Sequence, residues 1–138
     1  MPESILIYCD TNFFIDYFYD RRDNIRPLGE FASLVLRRTF SCEFRIAISD
    51  WLLKEIENNG CSKPMRDLIA RLIELNKFVE VRTAKEDLEF AKRLPLHYGD
   101  GLHAALAIKV KAKCIVTNNM SDFIKVIDKI DCVQPQEL

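Results

Sequence analysis

Four acidic residues are the best candidates for chemistry in this chain: Asp10, Glu55, Asp100 and Asp122. Asp10 ends the short apolar run Ser4-Ile5-Leu6-Ile7-Tyr8-Cys9, and a helical pattern opens directly behind it. Asp100 opens a small apolar helix, and Asp122 follows another strand-like run by a few residues. Glu55 falls inside a helical segment, where it borders the apolar face drawn by Ile48, Trp51, Leu52 and Ile56. Helix capping accounts for each Asp taken singly, and a solvated helix face accounts for Glu55. Four acids from four separate segments are harder to explain that way. Carboxylates delivered to one crevice repel one another unless a cation lies among them. A hard divalent ion is therefore the first expectation.

The elements that must position these acids follow from the hydrophobic pattern. Apolar runs are expected as strands at Ser4–Cys9, Phe44–Ile48, Phe78–Val81, Lys113–Thr117 and near Cys132-Val133. Helical spacing is expected over Thr11–Tyr19, Pro27–Arg38, the segment carrying Trp51, Leu52 and Glu55, Ser62–Leu75, a segment ending near Arg93, and the segment behind Asp100. Ser49 and Asp50 can cap the third of these, and Asn58-Asn59-Gly60 stops it. Thr83-Ala84-Lys85-Glu86 reads as a capping box. Strands that alternate with helices imply a parallel α/β sheet. In such sheets the ligand crevice lies beyond the carboxyl ends of the strands, where these acids fall.

The 138 residues fit one domain, residues 1–138, with enough chain to bury a core. A formal net charge of −1 does not advertise a polyanionic partner, so nucleic-acid binding would need a local basic surface. Arg21, Arg22, Arg37, Arg38, Lys63 and Arg66 are candidates for it, with Tyr17, Tyr19 and Tyr98 as base-stacking candidates. The five cysteines form no C-x-x-C pair, so buried free thiols are expected rather than zinc or disulfides. No apolar run reaches the length of a membrane span, and Met1-Pro2-Glu3-Ser4 carries no basic region, so the chain is read as cytosolic. The stretch Phe13-Phe14-Ile15-Asp16-Tyr17-Phe18-Tyr19 holds more aromatic surface than one helix should bury, which suggests a docking partner.

Four ordered segments resemble the PIN-domain family, in particular the VapC-like ribonucleases of toxin–antitoxin pairs. They are Ile7-Tyr8-Cys9-Asp10-Thr11-Asn12, Ile48-Ser49-Asp50-Trp51-Leu52-Leu53-Lys54-Glu55, Asp100-Gly101-Leu102-His103-Ala104-Ala105-Leu106-Ala107, and Ile115-Val116-Thr117-Asn118-Asn119-Met120-Ser121-Asp122-Phe123. The tail Val133-Gln134-Pro135-Gln136-Glu137-Leu138 is similar to the family's ending.

The resemblance implies a three-layer α/β/α sandwich around a mostly parallel sheet of four to five strands. It implies that Asp10, Glu55, Asp100 and Asp122 bind Mg²⁺ or Mn²⁺ and carry catalysis. Thr11, Asn12, Thr117 and Asn119 would be the polar support. Many members carry an acid two residues after the Thr of strand four, where this chain has Asn119; others place it before a Phe, as Asp122-Phe123 does. The resemblance also implies RNA as substrate, an antitoxin partner and a homodimer. Three other readings compete. A haloacid-dehalogenase-like phosphatase expects a second Asp where Asn12 stands. A response-regulator receiver expects an Asp after strand three. A PIN-fold RNA- or protein-binding module would retain the fold without turnover.

Overall fold

The computed structural model describes residues 4–138. The leader reading of Met1-Pro2-Glu3 lies outside the described residues. Five strands form one sheet: β1 (Ile5–Cys9), β2 (Phe44–Ser49), β3 (Phe78–Val81), β4 (Cys114–Val116) and β5 (Asp131–Val133). Their order is β3-β2-β1-β4-β5, and every neighbouring pair is parallel. Among the described residues seven α-helices connect and cover them: α1 (Thr11–Tyr19), α2 (Leu28–Phe40), α3 (Asp50–Asn58), α4 (Ser62–Glu74), α5 (Lys85–Arg93), α6 (Tyr98–Lys109) and α7 (Met120–Phe123).

Side chains alternate across the sheet into two cores, because successive strand residues point to opposite faces. Ile7, Cys9, Ile46, Ile48, Cys114 and Val116 enter one core with Phe13, Phe14, Val35, Leu36, Met65 and Leu72. Tyr8, Ala47 and Ile115 enter the other, with Leu102, Ala104, Ala105, Leu106, Ala107 and Phe123. Each large apolar side chain so buried contributes about 1.5–3 kcal/mol. The architecture is thus the expected α/β/α sandwich. The second core is alanine-rich on the α6 side, so α6 lies close against the centre of the sheet.

The sheet has a topological switch point. From β1 the chain moves outward through β2 to β3, then returns to the other side of β1 for β4 and β5. The carboxyl ends of β1 and β4 therefore flank the place where strand order reverses, which is where open parallel sheets bind ligands.

Three local expectations are corrected. Thr83 does not cap α5: its hydroxyl donates to Asp50 Oδ1 at 2.5 Å, its N–H also reaches that carboxylate, and the cap position falls on Ala84. Only half of the capping box survives, with the Ala84 N–H donating to Asp87 Oδ2 at 2.7 Å. Asp100 does not open its helix; α6 begins at Tyr98 and Asp100 sits in its first turn. The aromatic stretch of α1 is mostly absorbed rather than left outside. Phe13, Phe14 and Ile15 are buried and Tyr17 and Phe18 pack against the first core, leaving Tyr19 exposed. The chain succeeds in burying them because α2 packs beside α1 in the same core, through Ala32, Val35 and Leu36. The turn at Asn58-Asn59-Gly60 behaves as expected: α3 ends at Asn58, and Gly60 takes a left-handed φ of 74°.

Candidate active site

Asp10 sits at the carboxyl end of the central strand and is only 4% exposed. Its Oδ1 accepts the Phe13 N–H at 3.1 Å, which caps α1, and its Oδ2 accepts the Thr117 hydroxyl at 2.6 Å from just beyond β4. No Lys or Arg pairs with it among the described residues. Burial pushes its carboxyl up to about 6, against the pull of the Thr117 hydrogen bond, and the charge of Asp100 pushes the same way.

Glu55 reaches the same edge from α3, half-buried. Its Oε1 accepts the Thr11 hydroxyl at 2.5 Å and also meets His103 Nε2. Burial acts to raise this carboxyl, but the His103 and Thr11 hydrogen bonds prevail and hold it below the usual range. Asp100, in the first turn of α6, is raised by burial and by the nearby charges of Asp122 and Glu55. Asp122 lies in α7, more open to solvent; its Oδ2 accepts the Asn119 amide at 2.9 Å, and Lys125 approaches Oδ1 at 3.8 Å. Asp100 is thus electrostatically coupled to each of the other three acids.

The supporting polar residues divide. Thr11 and Thr117 each donate to an acid, and Asn119 donates to Asp122. Asn12 is exposed and makes no side-chain hydrogen bond among the described residues. Of the cation candidates, Arg38 is committed elsewhere. It pairs with Glu43 and donates to the Leu138 carbonyl at 2.7 Å, at the amino-terminal end of β2 and so across the sheet from the acids. Arg21 lies 3.7 Å from Asp16. Tyr19 donates to the Asn59 carbonyl at the far ends of α1 and α3. Tyr98 is different: it is exposed and stands two residues before Asp100.

Three residues of the site were given no role in it from sequence, where His103 reads as an ordinary packed or exposed histidine and Trp51 as part of an apolar helix face. His103, 2% exposed, stands between Tyr8, Thr11, Glu55 and Trp51. Tyr8 binds His103 Nδ1 at 2.7 Å and Ser49 Oγ at 2.8 Å. The available signal was a phenol in the middle of a buried strand, because a buried Tyr hydroxyl must find a partner. Trp51 donates its indole N–H to the Gly99 carbonyl at 3.2 Å, tying α3 to the start of α6.

The donor set suits a hard divalent cation. It is made of carboxylate oxygens, and the charge of Asp100 raises Asp10 while those of Asp122 and Glu55 raise Asp100. Among the described residues no three His, Cys, Asp or Glu side chains close on a single point. Mg²⁺ does not require this, since it keeps several waters and binds through one or two carboxylates.

A family comparison matches the PIN domain over residues 7–129. The chain belongs to the PIN domain family. This membership removes the phosphatase and receiver readings. Among solved structures, the fold resembles a chain of VapBC2 from Rickettsia felis bound to a DNA fragment from its promoter, with 20% identity, 93% of this chain and 97% of that chain covered, and a TM-score of 0.60. It also resembles a chain of a toxin–antitoxin complex from Klebsiella pneumoniae, with 20% identity, coverage of 96% and 98%, and a TM-score of 0.61. Comparison with curated proteins returned no match. Among the described residues no helix is long and apolar enough to cross a membrane.

Proposed function

We propose that this PIN domain is a Mg²⁺- or Mn²⁺-dependent endoribonuclease, the toxin component of a toxin–antitoxin pair acting in the cytoplasm. The observation that carries the reading is the convergence of Asp10, Glu55, Asp100 and Asp122 on the carboxyl edge of the sheet at its switch point, with Asp100 coupled to the other three. Asp10 and Asp100 would be the direct ligands, and Glu55 and Asp122 would hold the ion through water or hold a second one. A divalent ion bound there would make its water a stronger nucleophile and offset phosphate charge.

The chain's own residues set the geometry. Thr117 and the α1 amino terminus hold Asp10, and Thr11 with His103 holds Glu55. The reaction is hydrolysis of an RNA phosphodiester: water oxygen bonds to phosphorus, the P–O3′ bond breaks, and the 3′ oxygen takes a proton. The products carry 5′-phosphate and 3′-hydroxyl ends. Tyr98, exposed at the start of α6, is the stacking candidate left on the α6 side of the sheet. An antitoxin partner is supported by the toxin–antitoxin complexes that share the fold. A homodimer remains part of the reading, now without the aromatic stretch of α1 as its argument.

The test is cleavage of total RNA by wild type and Asp10→Asn, with Mn²⁺ and with excess chelator, mapping ends by sequencing. Wild-type cleavage that needs the metal and is lost in Asp10→Asn supports the proposal. Cleavage surviving in chelator, or undiminished in highly purified Asp10→Asn, overturns it. Metal binding without RNA turnover would instead identify a binding module.

A further inference from the structure

Behind Glu55 runs a buried file of polar groups: Ser49, Tyr8, His103 and Thr11. The geometry points to His103 and Tyr8 as positioning residues that reserve one oxygen of Glu55 for the metal site; the assignment rests on the metal-nuclease reading above.

The direction of the file follows from its donors. The Leu52 N–H donates to Ser49 Oγ at 3.0 Å, so this oxygen already serves as an acceptor. Its hydroxyl proton has one side-chain partner, Tyr8 Oη at 2.8 Å. The Tyr8 proton then goes to His103 Nδ1 at 2.7 Å. An imidazole that accepts at Nδ1 carries its proton on Nε2, and Nε2 faces Glu55 Oε1, an acceptor. Thr11 Oγ1 donates to the same Oε1 at 2.5 Å. In this arrangement His103 Nε2 and Thr11 Oγ1 both direct a proton at Glu55 Oε1.

The consequence is an asymmetric carboxylate. Oε1 holds two donors, while Oε2 accepts no hydrogen bond among the described residues. A methyl group placed on Gly99 would lie 3.7 Å from Oε2, so this oxygen faces the start of α6, where Asp100 follows. Glu55 therefore offers one oxygen to an ion or its water and does not chelate through both. The rotamer is set from inside the sheet, because Tyr8 is an inward residue of the central strand and Trp51 and Tyr8 flank the imidazole. Groups that orient metal ligands in this way typically matter by about 10–100-fold in affinity.

The chain has two histidines, and His97 is exposed, so ring ¹⁵N signals of the metal-free protein at pH 8 are assignable. A proton on His103 Nε2, directed at Glu55, is expected; a ring that carries its proton on Nδ1 alone overturns the positioning role. Mn²⁺ affinity is then read by electron paramagnetic resonance on wild type, Asp10→Asn, Glu55→Gln, Tyr8→Phe, His103→Gln and His103→Leu. His103→Leu is expected to lose about tenfold, Tyr8→Phe a smaller factor, and His103→Gln, which keeps a donor toward Oε1, less than the Leu variant. In Glu55→Gln, adding His103→Leu should cost nothing more. Losses that simply add, or Mn²⁺ affinity unchanged in both Tyr8→Phe and His103→Leu while Asp10→Asn is impaired, overturn the positioning role alone. No Mn²⁺ binding by the wild type overturns the nuclease reading with it.

Discussion

Thr117 and Asp10, 107 positions apart, share a hydrogen bond of 2.6 Å across the switch point of the sheet. The bond joins the ends of the two strands between which the chain reverses its order, and it is the acid's only side-chain donor among the described residues. The same Thr117 oxygen accepts the Asn119 N–H at 2.9 Å, which starts the turn carrying Asp122. Thr117→Val removes both links while keeping the branched shape. We expect a loss of about 1–3 kcal/mol at pH 7, by urea unfolding, together with weaker Mn²⁺ binding.

Asp10 also makes the protein's stability depend on pH. Its carboxyl is raised to about 6 in the folded chain against 3.8 as the ordinary value. Between those values the native state binds the extra proton, so this residue's contribution is fully present below about pH 4 and is lost as pH rises through 6. Asp10→Asn removes the charge and retains a capping carbonyl for the Phe13 N–H. In chelator at pH 7, Asp10→Asn should be more stable than wild type by up to about 3 kcal/mol, with the gap closing below pH 4. Thermal unfolding across that range checks it. A variant less stable than wild type at pH 7 would contradict the account.

The sheet and its helices were legible because they rest on local signals: apolar runs, caps and breakers. The file behind Glu55 was not, because it depends on strand facing. Which side of the sheet Tyr8 points to, and that α6 covers that side, follows from the pairing of β1 with both β2 and β4. Thr83 was misread for a related reason. As a local cap it competed with Asp50, 33 positions away, and the long-range charged acceptor won. Tyr17 and Phe18 looked surplus while α1 was taken alone; the second helix supplies the missing wall.

The four acids should not contribute equally. Asp100 is half-buried and coupled to the other three, whereas Asp122 is more exposed, already takes the Asn119 amide and lies near Lys125. Asp100→Asn is expected to reduce RNA cleavage by about 100-fold or more and Asp122→Asn by about tenfold, with the ranking carried by ligand loss against loss of a water-mediated contact. Single-turnover rates at saturating Mn²⁺ measure it. Equal losses would place Asp122 on the ion directly.

Gly101 links packing to the site. A Cβ there would lie 2.9 Å from the Ala91 carbonyl oxygen, a backbone atom of α5 that cannot swing away. The helices touch because residue 101 has no side chain, and Asp100 is the preceding residue. Gly101→Ala gains helix propensity of about 1 kcal/mol, yet it must push α6 from α5. Overpacking of this kind costs about 1–3 kcal/mol, so the expected balance is a modest net destabilisation. The shift would also carry Asp100 away from Asp10 and loosen the Trp51 tie at Gly99. Mn²⁺ affinity should therefore fall several-fold even where thermal unfolding shows the fold retained, because a displacement well under 1 Å at a ligand is enough to weaken a metal site. Unchanged affinity would show that the first turn of α6 adjusts independently of its contact with α5.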